Sequence, residues 1–201
     1  DPDVIMVGEI RDKETAQTAV EASLTGHLVM STLHTNSAPE TVTRLLDMGM
    51  DPFNFGDSLL AVLAQRLVRR LCPHCRVARN ATSEEVDELL HDWLHVFVEG
   101  TAPSKDQVLA EWHAQHGPQL MQWESKGCAF CEGTGLRGRA ALHELMSVTR
   151  ELRHLIQTGA RAEQLQRQGL ADGMRTLRQD GIEKVLAGVT TIGEVRAMSN
   201  A

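Results

Sequence analysis

The sequence predicts an α/β protein in which a parallel strand–helix–strand unit leads into a pair of cysteine knuckles and then a helical C-terminal region. Three observations carry this reading. Val4-Ile5-Met6-Val7 is a continuous apolar run ending in Gly8-Glu9, of the kind that forms a strand buried on both faces of a parallel sheet. A second such run, Leu28-Val29-Met30-Ser31-Thr32-Leu33, follows after a helical interval. Two Cys-x-x-Cys pairs, Cys72/Cys75 and Cys128/Cys131, take up all 4 cysteines.

Between the strands, Asp12 to about Thr25 is rich in Ala and opens on an aspartate suited to an N-cap. Two strands do not make a doubly covered sheet, so the remaining strands are expected before Asp1 and the chain reads as the C-terminal piece of a longer protein. Helix-spaced apolar positions run from about Pro39 to Met48 and from about Pro52 to Leu71, with a turn at Gly49 to Asp51. Glu84 to Phe97 is the clearest amphipathic helix, with Val86, Leu89, Leu90, Trp93, Leu94 and Phe97 on one face and acids on the other. Thr101 to Gly117 holds a weaker helix and is expected to be a variable excursion. Arg137 to Leu145 is expected as a strand. Met174, Leu177, Ile182, Val185 and Leu186 then form one buried stripe, and Thr191 with Glu194 makes a capping box for a short last helix. No internal repeat is present.

Composition fits a soluble cytosolic enzyme: 201 residues, 42% hydrophobic, are enough for one or two packed domains. The net charge of -7 disfavours non-specific attraction to nucleic acid or anionic lipid. No apolar run approaches the roughly 18 residues of a membrane span, so membrane association is expected to be peripheral.

The cysteines carry the strongest chemical inference. A closed tetrahedral zinc site needs four soft ligands, and each Cys-x-x-Cys turn presents two thiolates from one tight knuckle. Cys72, Cys75, Cys128 and Cys131 are therefore the expected metal ligands, with Glu84 to Phe97 filling the long interval between the knuckles. The alternatives are four metal-free thiols or two redox pairs, but neither pair stands at the strand-to-helix junction that the redox motif uses. His74, inside the first knuckle, is able to replace a thiolate, though an exposed loop histidine is the plainer reading.

Other motifs are weaker. Gly133-Thr134-Gly135-Leu136-Arg137-Gly138 satisfies G-x-G-x-x-G but follows a knuckle and opens no helix, so it reads as a turn. His143-Glu144 starts a metalloprotease motif and lacks its second histidine. Arg66, Arg69, Arg70, Arg76 and Arg79 form a basic run that is a solvated face or meets an acidic or phosphate partner. Glu9 and His34, by contrast, each follow a strand. Ligands of open α/β sheets bind beyond the carboxyl ends of the strands, where Glu9 is placed to orient or deprotonate an attacking water and His34 to project beside it.

Gly8-Glu9-Ile10-Arg11-Asp12, Thr25 to Asn36 and Val62-Leu63-Ala64-Gln65-Arg66-Leu67-Val68-Arg69-Arg70-Leu71-Cys72 resemble the secretion ATPase family that powers type II secretion and type IV pilus assembly. The likeness continues through Cys128 to Arg139 and Gly173-Met174-Arg175-Thr176-Leu177, and is least over Glu84 to Trp123. The resemblance implies the C-terminal portion of a RecA-like P-loop ATPase domain over 1–71, a tetracysteine zinc subdomain with a helical insert over 72–139, and a helical C-terminal subdomain over 140–201. It implies a homo-hexameric motor using ATP, Mg2+ and Zn2+, cytoplasmic, peripheral on the inner membrane, and working with secretion or pilus platform proteins and without nucleic acid. Glu9 matches the family's Walker B glutamate and is the expected catalytic residue; His34 matches its His-box histidine and is the expected nucleotide-binding residue. The four cysteines match the tetracysteine motif of the assembly and secretion branch. No G-x-x-x-x-G-K-[ST] occurs, nor do the acidic box and N-terminal arginines, so the chain alone is expected to be inactive. A zinc-stabilised interaction module and a RecA-like nucleic-acid motor are the alternative functions, separable by salt-dependent DNA binding.

Overall fold

In a computed structural model, which describes residues 2–199, the first apolar run forms strand β1 (Val4–Val7) and the second β2 (Leu28–Ser31), joined by helix α1 (Lys13–Leu24). Asp1 and Asn200-Ala201, the outer ends of the first and last expected segments, lie outside the described residues. α1 begins where its cap predicts: Asp12 has extended backbone and its carboxylate accepts from the Thr15 N–H at 2.8 Å, satisfying a donor that the helical ladder leaves open. β1 and β2 pair in parallel, Val4 opposite Leu28 and Val7 opposite Ser31. The α/β expectation therefore holds, with one difference. Val4, Met6, Leu28 and Met30 are exposed, whereas Ile5, Val7, Val29 and Ser31 are half-buried. Within this chain, that alternation leaves one face of the pair covered and the other open.

Downstream come α2 (Ala38–Asp47), α3 (Pro52–Ser58), β3 (Ala61–Leu71), β4 (Arg76–Asn80), α4 (Ser83–Leu94), α5 (Lys105–His116) and β5 (Met121–Ser125). A 3-10 turn (Ala129–Cys131) precedes β6 (Leu136–Ser147), α6 (Arg150–Gln157), α7 (Ala162–Ala171), α8 (Leu177–Leu186) and α9 (Ile192–Met198). The helix expected from Pro52 to Leu71 stops at Ser58 because Leu59 turns extended, and β3 follows. The run from Ala61 to Leu71 satisfies both a helical and an alternating period, and pairing of β3 with β6 decides the matter. Leu60, Leu63 and Leu67, whose spacing is helical, are exposed, while Ala64 and Val68 are buried.

The chain divides into two compact units, Asp1–Ala64 with Glu144–Met174, and Gln65–His143 with Arg175–Ala201. The first is built on Val42, Leu45, Phe55, Met146, Leu152, Ile156 and Leu165, which gather α2, α3, α6, α7 and the end of β6. Met174 packs here, beside Gly169 on α7.

The second unit has its own core of Val68, Leu89, Leu90, Trp93, Trp112, Leu142, Leu177, Ile182, Val185 and Leu186. The expected stripe from Met174 to Leu186 is thus divided between two cores. α4 carries the predicted face inward, and a capping box of Thr82 and Glu85 starts it. α5 is no excursion: Val108 and Trp112 are fully inside, Trp112 meeting Trp93 edge to face at 5.5 Å. β4 and β5, neither evident from the sequence, form an antiparallel ladder from Arg76 opposite Ser125 to Asn80 opposite Met121. Thr191 caps α9, accepting from the Glu194 N–H at 3.3 Å. The Glu194 carboxylate, however, does not complete a box; Arg69 holds it, donating from Nη2 at 2.5 Å and Nε at 3.0 Å. Among the described residues no helix is long and apolar enough to cross a membrane.

Because α5 is a core element, Trp112→Ala is expected to destabilise the second unit by about 3–5 kcal/mol in denaturant unfolding, the cost of a large buried aromatic. A loss well under about 1 kcal/mol, typical of a surface site, would mark α5 as an appendage after all.

Candidate functional site

The parallel ladder does not end at Val7 and Ser31. Ile10 donates its N–H to the Thr32 carbonyl at 3.0 Å, and the Thr32 hydroxyl donates to the Gly8 carbonyl at 2.6 Å. These bonds hold the two strand ends side by side beyond their last paired residues. Glu9 and His34 leave that edge together, with Glu9 Oε1 3.2 Å from His34 Nε2. Their juxtaposition follows from strand order and parallel direction, the features the sequence supplies. Arg11 completes the cluster, its guanidinium 2.6 Å from the other Glu9 oxygen. Its hydrogen bond, opposed by partial desolvation and aided by the charges of Arg11 and His34, holds the Glu9 carboxyl below the usual carboxylate range. Glu9 is therefore ionised at neutral pH. Sequence reasoning assigned Arg11 no role, although residues two apart in an extended segment share a side.

The segment leading from His34 into α2 is pinned from the other end. Thr35 and Thr41 share a hydroxyl hydrogen bond of 2.6 Å, and Ser37 caps α2 by accepting from the Glu40 N–H. The Ala38 N–H donates to the carboxylate of Glu144 at 2.7 Å. Glu144, half of the failed metalloprotease motif, thus has a buried structural partner 106 positions away.

The four cysteines converge. Sγ–Sγ separations are 3.9 Å for Cys72–Cys128, 3.8 Å for Cys75–Cys131 and 3.8 Å for Cys128–Cys131, and all four sulfurs lie within 4.8 Å of one another. A disulfide requires about 2.05 Å. A zinc–sulfur distance of about 2.3 Å gives a tetrahedral edge of about 3.8 Å, so the donor set fits zinc in size, number and softness. His74 is not among the donors; its ring stacks on Phe130 at 4.0 Å.

Glycines and hydrogen bonds shape this cradle. Gly135 at φ 73° leaves no room for a side chain, since an added Cβ meets the Ser125 carbonyl at 2.9 Å. A Cβ on Gly127 meets the Gly133 carbonyl at 2.4 Å. The first half of the G-x-G-x-x-G run, Gly133 to Gly135, is therefore the turn after the knuckle that the sequence indicates, while Leu136 to Gly138 already belong to β6. Burial works against ionisation of Cys131, but the N–H groups of Cys128 and Gly135 and the neighbouring thiols bring it down to about 6. Cys75 behaves oppositely: despite its bond to Ser125 at 3.0 Å, burial and the other three thiols push it up to about 11. The N–H groups thus favour a thiolate at Cys131 alone, and Cys75 gives up its proton only in exchange for a cation.

The basic run is largely consumed within the protein. Arg69 pairs with Glu194, Arg79 with Glu85 at 2.6 Å and Glu124 at 2.8 Å, and Arg76 lies over the Trp123 ring at 5.0 Å while donating to the Gly188 carbonyl.

Residues 1–197 match the family described as Type II/IV secretion system protein. The type IV pilus assembly ATPase PilB of Thermus thermophilus is 46% identical over 197 residues, covering 98% of this chain and 20% of that protein. The type II secretion system protein E of Klebsiella pneumoniae is 47% identical over 195 residues, covering 97% of this chain and 34% of its own length. The chain thus spans between a fifth and a third of these curated relatives. Among solved structures, the pilus retraction motor PilT with bound ADP superposes with a TM-score of 0.60 at 24% identity, covering 100% of this chain and 40% of that one. The ATPase DotB of Legionella pneumophila gives 0.59 at 20% identity over 98% of this chain and 38% of that one. At these identities the two structures establish a shared fold.

Zinc added to metal-free protein is expected to bind at about one per chain, measured by colorimetric competition, and Cys72→Ser is expected to weaken that binding at least tenfold, to about a tenth or less. Protons compete with the metal for thiolates, so affinity falls as pH is lowered and rises towards alkaline pH. Binding that is indifferent to pH, or intact in Cys72→Ser, contradicts a four-thiolate site.

Proposed function

Because the chain belongs to the type II/IV secretion system protein family, we propose that it forms the C-terminal part of a RecA-like motor that hydrolyses ATP to drive type II secretion or type IV pilus assembly. One observation carries this reading: the Glu9–His34 contact of 3.2 Å at the carboxyl end of two parallel strands, where open α/β sheets hold their ligands. Glu9 acts on the attacking water. Held ionised by Arg11, it is a weak base, better suited to orienting water than to removing its proton early in the reaction. His34, 88% exposed at its side chain, is free to donate to a terminal phosphate oxygen. ATP with Mg2+ supplies the transferable phosphoryl group and the charge that neutralises it.

In this reading residues 1–71 are the end of the motor core, 72–139 the zinc-bound tetracysteine subdomain and 140–201 a helical C-terminal subdomain. The motor works as a homo-hexamer in the cytoplasm, peripheral on the inner membrane against secretion or pilus platform proteins. Nucleic acid has no part in it, a view supported by the intramolecular partners of Arg69, Arg76 and Arg79. Zinc, held by Cys72, Cys75, Cys128 and Cys131, is structural: four protein ligands leave no open position for chemistry.

Two measurements test the proposal. In the full-length protein, Glu9→Gln is expected to bind Mg-ATP normally and to lose turnover by about 10²–10⁴-fold, the usual contribution of a positioned base. Normal turnover in that variant removes Glu9 from the mechanism. The chain of 201 residues alone, which contains no G-x-x-x-x-G-K-[ST], is expected to release phosphate no faster than its Glu9→Ala variant. A clear difference between the two would reveal a competent nucleotide site within the chain itself.

A further inference from the structure

Glu144 is 3% exposed, a carboxylate placed inside the first unit. Burial of such a group is costly unless its charge is met, and here it faces the N-terminus of α2, where unsatisfied N–H groups and the helix dipole favour negative charge. The accounting of that first turn is specific. Pro39 has no N–H, the Glu40 N–H goes to the Ser37 hydroxyl, and the buried Ala38 N–H is satisfied by Glu144. Ala38 is four residues beyond His34. Thr32 ties the same segment to Gly8 on one side, and the Thr35–Thr41 bond and the Asn36 N–H to Glu40 contact of 3.2 Å tie it on the other.

We propose that Glu144 is the positioning residue of the Glu9–His34 pair: by fixing where α2 begins, it fixes the short arc from Leu33 to Ser37 that carries His34 to Glu9. It acts through the Ala38 N–H. The role of this pair in catalysis rests on the function proposed above; the mechanical claim does not. Glu144 is well anchored for the task, since Met146 is wholly buried in the same core and the Val148 N–H donates to the Leu60 carbonyl at 2.9 Å. β6 therefore delivers a fixed carboxylate to a helix start that the sequence leaves more than a hundred residues away.

The test compares Glu144→Leu, which removes the acceptor, with Glu144→Gln, which keeps one, and with Glu144→Asp, which keeps the charge but withdraws it from Ala38. In the chain itself, amide hydrogen exchange over residues 32–41 is expected to accelerate at least about tenfold in the Leu and Asp variants, the effect of a buried N–H left without its partner, and to stay near the parent in Gln. Exchange over the knuckles, 72–75 and 128–131, is expected to be unchanged. In the full-length protein, Glu144→Leu is expected to lower kcat for ATP at least about tenfold with little change in KM, and to have no further effect in a His34→Ala background, because coupled residues are not additive. Unchanged exchange over 32–41 in both Leu and Asp overturns the positioning role whatever the activity. Equal losses with and without His34 overturn it too, in favour of a general structural effect. Should Leu fail to fold, the Asp variant carries both readouts. Normal turnover in both Glu9→Gln and His34→Ala would instead overturn the catalytic reading of the pair, and with it any catalytic purpose for Glu144.

Discussion

The parallel pairing of β1 with β2, prolonged by the Ile10 and Thr32 hydrogen bonds, is the constraint on which the candidate site depends. Glu9 and His34 are 25 residues apart in sequence, and no local interaction would bring them together. Parallel direction sends both strand ends to one edge; the register, continued past Val7 and Ser31, sets Glu9 opposite Leu33, and His34 follows one residue later, beyond the paired strands, to meet Glu9. Arg11 then adds a charge that keeps Glu9 ionised, so the acid arrives both placed and prepared. The pairing needs a connection on each side, and α1, capped by Asp12, and α2, capped by Ser37 and anchored by Glu144, supply them.

A second closure governs the other unit. The knuckles stand at the base of an insert whose two ends must meet, and β4 and β5 bring them together by backbone hydrogen bonds immediately after Cys75 and just before Cys128. The Ala81 N–H to Leu120 carbonyl bond extends that base to the start of the helices. Metal is therefore not the only tie available across the long interval between the knuckles. Ladder, α4–α5 packing and thiol cluster share the work, which keeps the entropic cost of the long interval from falling on one interaction. The four sulfurs are thereby gathered to the spacing that a tetrahedral zinc site requires.

What was legible in the sequence was local or carried by residue type. Apolar runs gave β1 and β2, an aspartate gave the start of α1, helical spacing gave α4, and cysteine pairs gave the thiol cluster. β3 was missed because its leucines fit two periods at once, and only its partner strand resolves the ambiguity. β4 and β5 are short and polar, Arg-Val-Ala-Arg-Asn and Met-Gln-Trp-Glu-Ser, so their pairing leaves almost no mark in composition. Glu144 and Glu194 were hidden for a different reason: each acts on a group more than a hundred residues away, Ala38 and Arg69, and the motif around each suggested a nearer partner.

The most direct measurement is a nuclear Overhauser experiment on the isotope-labelled chain, read at the β1–β2 edge. The account predicts a cross-peak between the His34 imidazole Hε1 and the Glu9 side-chain protons, together with a slowly exchanging Ile10 amide close to Thr32. A freely exchanging Ile10 amide with no contact between His34 and Glu9 would contradict it, because the two residues would then not share an edge and the site would have no foundation.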